Sequence, residues 1–236
     1  MPDLTYSRAR RAALALLLLC LSAAGAAAQQ KHRMDFDELI NETQKSSPQL
    51  DKMTIAWWVP EEFWREALAQ EASVTPAQSE EFLEVLRPYA LFIVVDGKMG
   101  ALGEPKYLPE EAIRRSLQLS DAQGVKYAPI EAAKVSGGIN VLLSMMKPVL
   151  SNMLGPLGQN MHFFLFPGRN KDGQRILNAA KEGSFSLRVG DEEFKWRLPL
   201  GSVLPPKACP VDGERMSGAW KFCPWHGEKL PAGPAR

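Results

Sequence analysis

Chemistry enters this sequence at two short stretches, Cys209-Pro-Val-Asp212-Gly213 and Cys223-Pro-Trp-His226-Gly227. Each sets two side chains able to bind a metal ion three residues apart, across a tight turn that a glycine completes. Thiolate and imidazole are good donors to zinc, and carboxylate is a less frequent one in structural sites. The same two cysteines, brought close by such turns, are also candidates for a disulfide.

The stretch from Lys207 to Leu230 resembles a zinc ribbon, whose two Cys-Pro-x-Cys-Gly turns, often with Lys-Phe before the second, hold one tetrahedral zinc. The resemblance covers this C-terminal stretch and nothing before it. It implies Cys209, Asp212, Cys223 and His226 as the zinc ligands, and Gly213 and Gly227 as the residues that let the backbone turn beneath the metal. Two of the family's four cysteines are replaced here, by Asp212 and His226. A Cys209–Cys223 disulfide and a degenerate ribbon with neither bond remain alternatives. A catalytic zinc fits less well, because four protein ligands leave no open position for water.

So short a module, poor in apolar residues, cannot hold itself by burial and needs a metal, a disulfide or the preceding domain. Oxidising conditions are suggested by residues 1–28. Arg8, Arg10 and Arg11 precede the mainly apolar run Ala12–Leu21, and small residues lead to Ala26-Ala27-Ala28. This is the form of a cleavable export signal, predicting a periplasmic or secreted protein from which Cys20 is removed. The leader takes three arginines and one aspartate with it, which leaves the chain close to neutral. No long basic run remains, so nucleic acid is not an expected partner. No later segment is long and apolar enough to span a bilayer.

Residues 29–52 are polar and read as a flexible lead, with one amphipathic patch at Phe36–Ile40. A domain over 53–200 follows. Met53–Val59 suits a strand, and Pro60-Glu61-Glu62 starts a helix that runs to about Gln70. Thr75-Pro76-Ala-Gln78 has the form of a capping box for a helix over Pro76–Arg87. Ala90–Val95 is the clearest strand, and Asp96-Gly97 suggests a tight hairpin to a partner at Lys98–Leu102. Leu108–Glu111 opens a short helix, and Asp121–Gly124 turns a small hairpin. Ile139–Leu157 carries an apolar stripe at 139, 142, 143, 146, 149, 150, 153, 154 and 157, with Pro148 expected to kink the helix.

Met161–Pro167 reads as a buried strand containing His162, with no second ligand type at metal spacing beside it. In the last hairpin, Phe185, Leu187 and Val189 alternate with polar residues, Gly190-Asp191 turns, and Phe194, Trp196 and Leu198 alternate back. Residues 201–206 form a linker to the 207–230 module, and 231–236 form a disordered tail. Antiparallel hairpins without regular strand–helix alternation predict an α+β fold: an antiparallel sheet core, with an immunoglobulin-like sandwich as the nearest architecture, helical insertions and the zinc-ribbon-like tail.

No nucleophile elbow, phosphate loop, His-Glu-x-x-His helix or dinucleotide fingerprint occurs. The sequence therefore points to an exported non-catalytic protein that binds a protein or envelope component or serves a structural role. The alternative is a metal-dependent hydrolase or redox protein built on the Cys209/Asp212/Cys223/His226 cluster. Peripheral membrane contact through 139–157 is disfavoured by a polar face whose single charge is Lys147.

Overall fold

Tyr89–Val95 (β3) is apolar on both faces, and every residue after Tyr89 is buried, so it needs cover on both sides. The computed structural model, which describes residues 34–232, places it inside an antiparallel sheet. The order is β1 (Gln44–Ser46), β2 (Ile55–Val59), β3 and β8 (His162–Pro167). Neighbouring side chains of β2 serve opposite faces, as the strand period of two requires. Trp58 meets Phe185 of a second sheet edge-on at 4.9 Å, while Trp57 meets Phe63 of the following helix at 5.5 Å.

Helix α2 (Glu61–Gln70) begins behind Pro60 with two acidic residues in its first turn. Helix α3 (Pro76–Leu86) begins on the expected capping box, with Thr75 and Gln78 bonded reciprocally. A ring contact between Trp64 and Phe82 joins the two helices. Trp57, Trp58, Phe63 and Trp64 are all core residues.

The second sheet runs β10 (Glu192–Leu198), β9 (Gly183–Val189), β6 (Gln118–Ser120) and β7 (Lys126–Tyr127), also antiparallel. Phe185 and Trp196 are cross-strand partners whose rings stack at 4.8 Å. Phe92 of the first sheet packs edge-on against both. The class is thus α+β, with an aromatic core between the sheets and helices against the far face of the first.

Four expectations change. The lead is not free over its second half: Phe36–Thr43 (α1) is a helix capped by Asp35, followed at once by β1. Leu39 is fully buried, and Thr43 accepts from Trp57 Nε1 through its hydroxyl and from Trp196 Nε1 through its carbonyl. A few well-placed apolar contacts and two indole bonds order a polar segment. Asp96-Gly97 does not turn a hairpin, because β3 pairs with β2 and β8. Gly97 instead starts β4 (Gly97–Met99), which pairs with β5 (Pro105–Tyr107), and a Cβ there would lie 2.7 Å from the Tyr107 ring. The intervening turn uses Gly103, at φ +84.

The long helix, α5 (Gly137–Met153), continues through Pro148 and buries Ile139, Leu143 and Leu150. Val149 and Met153 do not join them, because they lie exposed alongside Val141 and Met145. Finally, the 201–206 linker is pinned: Gly201 N, Ser202 N and Ser202 Oγ all donate to the Glu42 carboxylate of α1. Helix α4 (Glu110–Ser116) precedes β6. Among the described residues no helix is long and apolar enough to cross a membrane. The export signal and residues 233–236 of the tail lie outside the described residues.

Candidate metal centre

The two cysteine turns stand at the tips of two short hairpins. The first lies between β11 (Lys207–Ala208) and β12 (Arg215–Met216), and the second within the Phe222–Lys229 bridge. Their backbones are nearly superimposable in their bonding. Gly213 N donates to the Cys209 carbonyl (2.9 Å) and Gly227 N to the Cys223 carbonyl (2.9 Å). Cys209 N donates to the Glu214 carbonyl (2.9 Å) and Cys223 N to the Glu228 carbonyl (2.8 Å). Gly213 and Gly227 take φ of +77 and +70, the left-handed conformation that makes glycine the natural residue there.

This geometry brings the donors together. Cys209 Sγ is 3.3 Å and Cys223 Sγ 3.5 Å from His226 Nδ1, and the three ligand atoms lie within 4.8 Å of one another. Both thiols are free and buried. They form a small core with Met216 and Leu230, separate from that of the sheets. Asp212 stands at the edge of the cluster: Oδ2 is 3.8 Å from His226 Nδ1, while Oδ1 accepts from Glu214 N at 2.9 Å.

The two thiols are shifted in opposite directions. Burial raises the Cys209 thiol above its ordinary value against the opposing N–H groups of Asp212 and Val211, and the nearby Asp212 carboxylate and Cys223 also raise it. Burial pushes Cys223 the same way, but the N–H groups of His226 and Trp225 and the His226 ring outweigh it and hold this thiol below its ordinary value. Asp212 is held low by the Glu214 N–H, with the Cys209 thiol and His226 helping. Backbone N–H groups aimed at sulfur stabilise thiolate, the form that binds metal.

No family model, curated protein or solved structure matches the chain. The site therefore rests on its own geometry. Cys209, Cys223 and His226 converge as their spacing suggests, and Asp212 lies beside them within reach of His226. Sequence reading missed Glu214 and Glu228, whose carbonyls hold the cysteine N–H groups. Their signal was present, since each follows its glycine directly and extends the two half-sites into a longer repeat.

His162 was also more than a lone histidine. Its Nδ1 lies 3.7 Å from Glu110 Oε2 on α4, a juxtaposition that sequence separation conceals. Burial lowers its pKa from the ordinary value, with Glu110 opposing and Lys147 adding to the fall.

Proposed function

We propose that the protein is an exported, non-catalytic binding or structural protein whose residues 207–230 form a zinc clip. Cys209, Cys223, His226 and Asp212 would hold the ion. The observation that carries this is the convergence of two buried thiols and an imidazole from two matched turns, within 4.8 Å of one another. Zinc in such a set supplies folding energy, because the module's separate core has few apolar members. Val211, Trp220, Phe222 and Trp225 are exposed on the module, and apolar side chains in that position favour contact with a protein or envelope component over a purely internal clip. Periplasmic or secreted placement rests on the leader sequence.

A second reading has one observation in its favour. Only three donors converge tightly, with Asp212 at the edge, and three protein ligands plus water is the catalytic format. Cobalt substitution separates the two. A non-catalytic clip gives a tetrahedral spectrum that is unchanged by added anions and is lost in Asp212→Ala. A spectrum that shifts with exogenous anions reveals an exchangeable position and favours the metal-dependent hydrolase.

A further inference from the structure

Where β8 enters the sheet at His162, α4 and α5 flank a cleft of about 230 Å³. Its lining is mixed, with Ile130, Leu143 and Phe163 among the apolar side chains and Glu110, Arg114, Asn140, Ser144, Lys147 and His162 as the polar ones. These polar groups are not equally free. Arg114 Nη2 donates to Glu110 Oε1 at 2.6 Å, its Nη1 donates to the Ile130 carbonyl at 3.0 Å, and its guanidinium lies over the Phe164 ring. Arg114 and Glu110 thus neutralise each other and brace the wall. Ser144 Oγ donates to the Asn140 carbonyl.

Lys147 remains. It makes no ion pair among the described residues, yet it is near enough to His162 to depress that ring's pKa. An exposed ammonium without an ion pair, on a cleft that also presents Leu143 and Phe163, suits a ligand with one negative charge and a hydrophobic body. The size agrees, because an apolar cavity of about 150 Å³ already accepts benzene. A dianion fits less well, since Lys147 is the one Lys or Arg without an ion pair among the described residues lining the cleft, and Glu110 lines it too.

We propose that this cleft binds a small organic monoanion, a carboxylate on a single-ring or short aliphatic body. The carboxylate is held by Lys147 with the Asn140 amide beside it, and the body lies on Leu143 and Phe163. This site is independent of the metal centre.

The test is an amide NMR titration of the full chain with benzoate, with benzyl alcohol as the uncharged analogue and inorganic phosphate as the small multivalent anion. Saturable shifts from benzoate should centre on Asn140, Ser144, Lys147 and His162, and benzyl alcohol and phosphate should bind more weakly. Lys147→Gln should weaken benzoate roughly two- to fivefold, the scale of a solvent-exposed ion pair. Glu110→Gln should strengthen it by freeing Arg114. Ser144→Trp, which fills the mouth without changing charge, should abolish binding in a chain whose remaining spectrum shows the native fold. Shifts that do not saturate, unaltered affinity in Lys147→Gln or Ser144→Trp, or phosphate binding as well as benzoate would each overturn the proposal.

Discussion

Cys223→Ser removes one donor from the Cys209/Cys223/His226 cluster while leaving the turn's shape available, since serine can keep the backbone bonds from residue 223 N to Glu228 and from Gly227 N to residue 223. The apolar side chains closing the module's core, Met216 and Leu230, contribute roughly 3–6 kcal/mol together. A structural zinc contributes about 10–16 kcal/mol in small modules. Under the proposed zinc clip the metal would dominate, so loss of one thiolate should open residues 207–230 locally while the sheets stay folded. The amides to watch by hydrogen exchange are Cys209, Gly213, residue 223 and Gly227, all bonded across the two turns. In the wild-type chain they should be protected, and protection should collapse in Cys223→Ser and on chelation. Protection that persists after chelation but disappears on reduction would refute the reasoning and identify a Cys209–Cys223 disulfide instead.

Other perturbations have equally definite outcomes. His226→Ala should weaken zinc by more than the approximately 10–100-fold typical of outer-shell changes, and Asp212→Cys should tighten it, as competition with a chromogenic chelator would show. Leu39→Ala should destabilise the sheet domain by about 2–5 kcal/mol in urea unfolding, because Leu39 is fully buried; a loss below about 1 kcal/mol would return this segment to a loose lead. Burial alone would raise Glu61, but Arg65, Arg175 and Arg87 hold its carboxyl below the ordinary value of 4.5. Such a group contributes stability above its unfolded-state pKa and loses it as pH falls through the folded one. Glu61→Gln should therefore cost roughly 1–3 kcal/mol at neutral pH, with the gap to wild type closing as the carboxylate protonates in acid; a pH-independent gap in thermal unfolding would contradict this.

What was legible in the sequence was local. The β9–β10 hairpin announced itself by strict alternation and Gly190, at φ +60, and α3 by a capping box that forms as written. The cysteine turns were equally plain, because their glycines and donor spacing are contained in five residues each. Long-range pairing was not legible. Asp96-Gly97 has the wording of a hairpin, but β3 finds its partners in β2 and β8, and the glycine answers to Tyr107 instead. The Phe36–Ile40 patch signalled part of helix α1, but its full extent was not legible, because its order depends on the indoles of Trp57 and Trp196. The exposure of Val149 and Met153 likewise depends on what faces α5, which periodicity does not contain.

The central claim is that Cys209, Cys223 and His226 hold a metal in the protein as it is made. Metal content measured together with thiol titration, on protein recovered from its native compartment without added zinc, tests it most directly. A zinc clip predicts one zinc per chain and two thiols that react only after chelation. Metal-free protein whose two thiols are absent until a reductant is added would contradict it.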